Sequence, residues 1–412
     1  MHQKQGGDGI YAILEPGGGA DMEQILIIGG GATGGALAHD LALRGYGVTL
    51  VEQGSLLSGT SGRHHGLLHS GARYALHDTE TARECYEENL ILRRLAPQAI
   101  EPNDGLFVAL DDEDMGHYER FILKCRSAGI PAREIGAAKA LSLEPALNPT
   151  LKGAVQVPDA TMDAWRLPLH FFATARSNGA VLMPFHRVEG LIQNSGAITG
   201  AKIKDLKTGR IRSLGADVVI NAGGPWAGKI AALANLEVPV RPGPGMLVSV
   251  AGRWSNMVIN RLHVAGEADI LVPQRNLTVI GATIWLAEDP DRIELPDGQA
   301  EKLMALGARL VPALADQPVH ARWSASRPLL RSQNKGDPMQ ISRGFACIDH
   351  RQRDGVEGMI SLLGGKATTM RAMARIAGDL ICAKTGRSIA CTTATAPLLP
   401  YRSIMQTVDG WI

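Results

Sequence analysis

The sequence predicts an α/β fold. Three times, a short apolar run typical of a buried strand is followed by a glycine-rich turn and a helical segment, at residues 24–44, 218–233 and 359–381. The length of 412 residues is enough for two or three domains. Glycine is the outlier in the composition, with 48 residues and no collagen-like period. We therefore expect the glycines to lie in tight turns and at close backbone approaches.

Composition and charge exclude several classes of protein. Lys and Arg total 42 against 41 Asp and Glu, and this net charge of +1 argues against a general nucleic-acid binder. Aromatic residues make up only 4% of the chain, too few for platforms on which bases stack. The five cysteines form no CxxC pair, which argues against a zinc or iron–sulfur site. Scattered thiols favour a reducing compartment, with the cytoplasm as the default location.

The two ends of the chain differ from the rest. Residues 1–21 are rich in glycine and lack the apolar run of a signal peptide, so we expect a disordered leader or an upstream extension. Residues 396–412 are expected to form a short C-terminal tail. No run of 18 apolar residues occurs, so the sequence predicts no membrane-spanning helix.

The first glycine cluster begins at Gly29 and matches the pattern GxGxxG between a strand at 24–28 and a helix at 36–44. Gly29 permits the tight turn, Gly31 lets the backbone approach a pyrophosphate, and Gly34 lets helix and strand pack closely. The free N–H groups at the start of the helix would then face the phosphates. This order of elements predicts dinucleotide binding, and a plain glycine-rich turn is the alternative.

An acidic residue follows at the spacing expected for a ribose ligand. A second strand at 48–51 ends in Glu52, 23 positions after Gly29. The chain then enters a polar loop at 58–66, where an NAD dehydrogenase would continue with more alternating strands and helices. Small hydroxyl and glycine residues suit a backbone that lies against a flat ligand, although a surface loop is the alternative. Because further glycine clusters lie far away in the chain, FAD is favoured over NAD.

Two more strand–glycine–helix units complete the pattern. One runs from the strand at 218–220 through Gly223 and Gly224, and the other from the strand at 359–363 into the turn at 364–369. In a flavoprotein, the N–H groups of the latter turn would face the edge of the isoalloxazine that gains negative charge on reduction. Lys366 would add a positive charge there. A simple strand–turn–helix connection and a solvated Lys366 are the alternatives.

Eight segments carry a resemblance to a known family: IIGGGATGGALAHDLALRGYGVTLVE (27–52), TSGRHHGLLHSGARYALHDTETARECYEEN (60–89), VQVPDATMDAWRL (155–167), VVINAGGPWAG (218–228), ADILVP (268–273), SRPLL (326–330), SRGF (342–345) and GGKATTMR (364–371). The chain resembles the FAD-dependent glycerol-3-phosphate dehydrogenases, anaerobic type, within the D-amino-acid-oxidase-like flavoproteins. The segment GLLHSGARY is the most specific, because generic Rossmann proteins lack it. The similarity extends over roughly residues 22–393.

The resemblance implies a Rossmann-like FAD-binding domain with an inserted substrate domain. The FAD-binding domain would comprise residues 22–104, 154–240 and 352–395. The substrate-binding domain would comprise 105–153 and 241–351, with a mostly antiparallel sheet over the flavin.

The glycine clusters and the resemblance together imply a set of FAD-binding residues. They are Gly29, Gly31, Ala32, Thr33, Gly34, Glu52, Gln53, Thr60, Ser61, Arg63, His65, Gly66, Leu67, Val188, Ala222, Gly223, Trp226, Gly364, Gly365, Lys366, Ala367 and Thr368.

The family pattern also implies a site for an anionic substrate, formed by Arg73, Tyr74, Arg327, Arg343 and Lys366. Arginine presents a rigid fork of donors to phosphate or carboxylate, and several cations in one cleft select a dianion. Surface ion pairs are the alternative for each arginine singly.

Catalysis would use His69, Arg327 and Lys366. Oxidation of a secondary alcohol transfers a hydride to flavin N5 and releases the hydroxyl proton, so a base with a pKa near 7 is expected. His69 is the first candidate, His65 and His350 are weaker ones, and a structural role for His69 is an equal alternative.

The sequence thus predicts a dehydrogenase of glycerol 3-phosphate or a related anionic secondary alcohol. It would pass electrons to a quinone or a partner protein, with at most peripheral contact with the inner face of the membrane. An oxidase of amino or hydroxy acids that uses O₂, and a flavin-binding component of a complex without catalytic activity, are the alternatives. Ser326, Ala367 and Met370 depart from the family pattern near the expected site, which leaves phosphate, phosphonate, sulfonate and carboxylate substrates open.

Overall fold

The structure is a computed structural model that describes residues 22–263, 269–330 and 344–404. The expected leader, Arg343 and residues 405–412 of the expected tail lie outside these residues. Two large sheets organise the described chain, and the predicted mixed α/β class is confirmed. Within these residues, no helix has the length and apolar character needed to cross a bilayer.

The first sheet has six strands. In sheet order they are β19 (Phe345–Asp349), β20 (Met359–Gly364), β13 (Val218–Asn221), β1 (Gln24–Ile28), β2 (Gly47–Val51) and β9 (Val181–Met183). All neighbours are parallel except β19 and β20. Parallel strands are covered on both faces, which explains why the sequence showed continuous apolar runs rather than alternation.

The second sheet has eight strands and is mostly antiparallel. In sheet order they are β18 (Val319–Leu330), β14 (Val240–Ala251), β17 (Leu277–Ile280), β16 (Ile270–Gln274), β15 (Val258–Arg261), β5 (Gly105–Ala109), β7 (Gly153–Val157) and β6 (Arg133–Gly136). Only the pair β5–β15 is parallel among these described strands.

Two small sheets and ten α-helices complete the described chain. One small sheet has β10 (His186–Asn194), β11 (Ala197–Asp205) and β12 (Ile211–Gly215), and the other has β3 (Leu67–Leu68), β8 (Ala160–Met162) and β4 (Ile100–Glu101). The helices are α1 (Ala32–Leu43), α2 (Thr79–Leu95), α3 (Asp112–Met115), α4 (Tyr118–Ser127), α5 (Ala137–Leu143), α6 (Arg166–Ser177), α7 (Ala227–Ala232), α8 (Gln299–Leu310), α9 (His350–Asp354) and α10 (Met370–Lys384).

The core of the first sheet lies between layers of helix and strand. One face is covered by α1, α6 and α10, and its buried residues include Leu37, Leu41 and Met373. The opposite face packs against the sheet of β10–β12 through residues such as Ile203. The sheet is therefore buried on both sides, and its strand ends form the open edge.

Helix α1 begins at Ala32, four residues before the predicted start at 36. Glycine disfavours helix interiors, and residues 34 and 35 of this helix are both glycine. The structure needs glycine at positions 34 and 35. A Cβ on Gly34 would collide with the carbonyl oxygen of Gly29, and a Cβ on Gly35 would lie 2.7 Å from the ring of Phe172. Close packing therefore overrides the local preference.

Two strands lie in a different sheet from the one that the predicted domain division implies. β7 pairs with β5 and β6 in the second sheet, although 154–240 was assigned to the FAD-binding domain. β19 pairs with β20 in the first sheet, although 241–351 was assigned to the substrate domain. The division rested on motifs along the chain, which carry no information on strand pairing.

Candidate functional site

One large cavity of about 930 Å³ lies where the two sheets meet. Its first wall is formed at the carboxyl ends of the parallel strands, by Ile28, Glu52, Ala222 and Gly364. Its second wall comes from the second sheet and includes Arg327. In open α/β sheets, ligands bind outside the carboxyl ends of the strands, so this edge is the expected binding place.

The first glycine turn forms the floor of one half of the cavity. Gly29 has φ +120°, and a Cβ there would collide with the carbonyl oxygen of Ala222. The backbone N–H of Ala32, the first residue of α1, donates to Ser61 Oγ at 2.9 Å. No acidic residue lies in the first turn of α1. The free backbone donors and the positive end of this helix suit a diphosphate.

Glu52 is held in place by the loops around it. Its two carboxylate oxygens accept hydrogen bonds from the backbone N–H groups of Gly30 at 2.7 Å and Gly54 at 2.8 Å. Each carboxylate oxygen has a second lone pair, so Glu52 can still accept a bond from a ribose hydroxyl. Val188 and Trp226 line the same cavity. This half of the cavity therefore fits the nucleotide part of a dinucleotide.

The structure brings the predicted FAD-binding residues together. All of them line the cavity except Gly34 and Gly66. Gly34 packs helix against turn, as described above, which is the role that its motif position predicts. Gly66 has φ +81° and lies against Gln274 and the carbonyl of Met162, so it shapes the loop without lining the cavity.

The other half of the cavity is lined by cationic and aromatic side chains. Lys366 Nζ lies 5.0 Å from the ring centre of Tyr74, and the rings of Tyr74 and His69 are 5.3 Å apart. Arg327 Nη1 donates to the carbonyl of Thr283 at 3.2 Å. Together with Arg73, these predicted residues converge at one end of the cavity.

Arg73 is oriented by two buried partners that could not be identified from the sequence. Its Nη2 lies 2.5 Å from Asp269 Oδ1, and its Nη1 donates to Asn260 Oδ1 at 3.1 Å. Burial raises the pKa of Asp269, but Arg73 and His263 outweigh that effect and hold the pKa well below its usual range. The carboxylate is thus ionised and fixes the guanidinium. The segment ADILVP contains Asp269, but nothing in the sequence showed which arginine it would meet.

His69 is neutral in this structure. Burial lowers its pKa well below 6.5, and the positive charges of Arg73 and Lys366 and the nearby ring of His65 lower it further. The sequence predicted a base with a pKa near 7, and the difference arises because desolvation and like charges act together. A neutral imidazole can accept a proton, and a bound anion would raise this pKa.

The two weaker candidates for the base do not fit that role. His65 Nδ1 accepts a hydrogen bond from the N–H of Leu67 at 3.1 Å, which places the ring proton on Nε2 and makes the ring a donor. His350 is fully buried, with its nitrogens 2.6 Å from Asp354 Oδ2 and 2.8 Å from Ser361 Oγ, and it does not line the cavity.

Two of the three departures from the family pattern do not line the cavity themselves. Ser326 and Met370 are buried and do not line it, whereas Ala367 does. Ser326 directly precedes Arg327 on strand β18, and its carbonyl accepts a hydrogen bond from Thr60 Oγ1, a residue that lines the cavity. The three residues were expected to line or abut the site. Ala367 lines the cavity, Ser326 adjoins it through Thr60 and Arg327, and Met370 lies in the core of the first sheet.

Several cavity-lining residues were not predicted. They include His64, His77, Lys229 and Asp291. Lys229 pairs with Asp291 at 2.5 Å, and the Trp226 indole donates to the same carboxylate at 2.7 Å. Asp291 lies between β17 and α8 and Lys229 belongs to α7, so only the tertiary fold makes them neighbours.

Comparison with known proteins gives consistent matches. The family model described as FAD dependent oxidoreductase (DAO) matches residues 24–380. An anaerobic glycerol-3-phosphate dehydrogenase subunit of Escherichia coli K12 is 42% identical over 382 residues, which is 92% of this chain and 70% of that protein. The subunit of the same name from Haemophilus influenzae is 39% identical over 376 residues, covering 91% and 67%. The X-ray structure of glycerol-3-phosphate dehydrogenase from Bacillus halodurans with FAD matches with a TM-score of 0.71 at 24% identity, covering 92% of this chain and 68% of that one.

Proposed function

Because this chain belongs to the FAD dependent oxidoreductase (DAO) family, we propose that it oxidises glycerol 3-phosphate, or a closely related anionic secondary alcohol, to the ketone with FAD as cofactor. The observation that carries the choice of substrate is the convergence of Arg73, Arg327 and Lys366 at one end of the cavity. Arginine forks and an ammonium group together match a phosphate dianion.

The residues present fit FAD. Gly29, Gly31 and Ala32 line the cavity where α1 begins, so the backbone of this turn and the N-terminus of the helix can approach a diphosphate. FAD, when bound here, supplies the acceptor for the hydride that leaves the carbinol carbon. Residues 364–368 border the cavity from the far side, where Lys366 and the helix that follows favour negative charge.

We propose that His69 accepts the hydroxyl proton as the hydride leaves. Its imidazole is neutral and lies among the cations that would hold the phosphate. Binding of the dianion places negative charge beside these cations, which raises the pKa of His69 and makes proton transfer more favourable. A hydride, which is one proton with two electrons, leaves the carbinol carbon. The proton of the hydroxyl group goes to the imidazole of His69.

Electrons would then pass to a partner protein or a quinone. Support comes from the names of the two relatives above, each of which is one subunit of an anaerobic dehydrogenase. A peripheral position at the membrane would suit such a partner. The oxidase and the non-catalytic alternatives are not favoured, since these relatives are dehydrogenase subunits and the cationic residues of the site are present.

The test is anaerobic flavin bleaching in the FAD-loaded protein. Glycerol 3-phosphate is mixed with the enzyme in a stopped-flow instrument, beside matched alcohols that carry sulfonate, phosphonate or carboxylate. We expect rapid bleaching with glycerol 3-phosphate. Bleaching with another member of the panel but none with glycerol 3-phosphate would contradict the proposed substrate.

A variant separates the roles of charge and geometry. Arg327→Lys keeps the positive charge but loses the donor fork, so we expect a higher KM for glycerol 3-phosphate with bound FAD unchanged.

His69→Asn tests the proton acceptor and should lower the rate of flavin bleaching at every pH. A wild-type rate in His69→Asn would remove this residue from the proton-accepting role.

A further inference from the structure

His69 lies in a segment with little regular structure of its own. Strand β3 ends at Leu68, and the next regular element is the short 3₁₀ helix Ala72–Tyr74. A catalytic group on such a loop needs support from elsewhere, because loops open more easily than the elements that they connect. Four hydrogen bonds from other segments support this loop.

The two peptide groups that flank the Cα atom of His69 are both anchored. In the first, the carbonyl of Leu68 accepts from Asn89 Nδ2 at 3.0 Å, and the N–H of His69 donates to Thr368 Oγ1 at 3.2 Å. In the second, the carbonyl of His69 accepts from the same Asn89 Nδ2 at 3.2 Å, and the N–H of Ser70 donates to Asp159 Oδ1 at 2.7 Å.

Anchoring of both peptide groups has a geometric consequence. Peptide groups are planar, so a residue's backbone has only two soft torsions, which are set by the planes on its two sides. With both planes held, the direction of the Cα–Cβ bond of His69 is determined. Asn89 supplies two of these four hydrogen bonds, one to each peptide group. Thr368 and Asp159 each bind only one of the two peptide groups.

Asn89 is a polar residue in a fully buried position of helix α2. It does not line the cavity. Its Oδ1 has no hydrogen-bond partner among the described residues. A buried amide that leaves one polar atom unpaired costs stability that an apolar side chain of similar size would not. Its amide nitrogen serves the two carbonyls beside His69.

We propose that Asn89 is a positioning residue, which aims the His69 imidazole at the substrate hydroxyl by fixing the two peptide planes around its Cα. It touches neither substrate nor cofactor and acts only through His69. The inference rests on the proposed role of His69 as proton acceptor. It goes beyond that role because it assigns a function to a buried side chain on α2, outside the site.

The test is a double-mutant cycle on the FAD-loaded protein. Asn89→Leu removes both bonds at similar volume, and Asn89→Ser serves the same purpose if the leucine variant does not fold. We expect Asn89→Leu to slow flavin bleaching by glycerol 3-phosphate about tenfold to a hundredfold, since small misplacements of reacting groups have such effects. FAD content should not change. In a His69→Asn background, Asn89→Leu should have no further effect.

Glu144→Gln is the matched control. Glu144 is also buried and also holds two neighbouring backbone N–H groups, those of Asn256 and Met257, but it lies away from the cavity. We expect it to lower thermal stability and leave the bleaching rate unchanged. If Asn89→Leu bleaches at the wild-type rate, or slows His69→Asn by the same factor as it slows wild type, the positioning role is wrong.

A second readout does not depend on the substrate. The side-chain resonances of His69, assigned by their loss in His69→Asn, are compared between the wild-type protein and Asn89→Leu by NMR. A shift of these resonances with Asn89→Leu is expected, and unchanged resonances would overturn the inference. Failure of wild-type protein to bleach with glycerol 3-phosphate would count against the proposed function alone.

Discussion

His39 makes the stability of the cofactor-binding sheet depend on pH. It lies on α1 with no exposed surface, and its ring meets the edge of Phe171 at 5.4 Å between ring centres. Neither ring nitrogen has a hydrogen-bond partner among the described residues. Burial lowers the pKa of His39 from 6.5 to about 4. The ring of His39 is therefore neutral in the folded protein, and its protonation would destabilise the fold.

The magnitude follows from these two pKa values. Because the pKa is lower in the folded state, the unfolded chain binds the extra proton first, and stability is lost as pH falls from 6.5 towards 4. The full difference between these two pKa values corresponds to about 3 kcal/mol. At pH 5 the loss is about 2 kcal/mol, and at pH 7.5 it is close to zero.

His39→Leu removes this penalty and the two unpaired nitrogens. We expect the variant to be more stable than wild type by about 1–3 kcal/mol at pH 7.5, the usual cost of a buried unpaired polar group. The advantage should grow by about 2 kcal/mol at pH 5. For a chain of this length, the added 2 kcal/mol corresponds to about 2 °C in Tm.

The assay is thermal unfolding at pH 7.5 and pH 5 with FAD held at one excess concentration, so that cofactor binding shifts both proteins alike. His170→Leu is the control. Its ring nitrogens lie 3.1 Å from Gln98 Nε2 and 2.7 Å from the carbonyl of Leu399, so its loss should destabilise. If the difference in Tm between His39→Leu and wild type is the same at both pH values, the reasoning is refuted.

Three further predictions concern the site. Asp269→Asn leaves Arg73 without its buried partner charge. The KM for glycerol 3-phosphate should therefore rise at least tenfold, while the FAD content stays normal. An unchanged KM would count against the role of this ion pair. Gly29→Ala forces a side chain onto Ala222 at φ +120°, and the purified protein should lack flavin absorbance. Glu52→Ala removes the acceptor for two backbone N–H groups, and FAD should bind about ten- to a hundredfold more weakly by fluorescence titration.

Local patterns in the sequence were enough for the cofactor half of the molecule. Strand β1 was predicted with its observed bounds, and the turns at Gly29, Gly223 and Gly364 lie where strand, turn and helix follow one another. These features depend on neighbours along the chain. A glycine turn needs its strand before it and its helix after it, and both are visible in a short window.

The substrate half was predictable only in its side chains. His69, Arg73, Arg327 and Lys366 were identified through family motifs, and the structure brings them to one end of the cavity. Their environments were not predictable. The low pKa of His69 depends on burial and on two cations, the nearby Arg73 and the distant Lys366, so no single stretch of sequence contains it.

The sequence by itself determined the chain's class, its cofactor and the family to which it belongs, because glycine turns and anion-binding motifs depend on residue types at short spacings. Only the tertiary structure decided which strands share a sheet, that Asp269 and Asn260 orient Arg73, and that Asn89 and Asp159 hold the peptides around His69. Those contacts join residues between 20 and 196 positions apart. Their energies depend on burial and hydrogen-bond geometry, which arise only when the whole chain has folded.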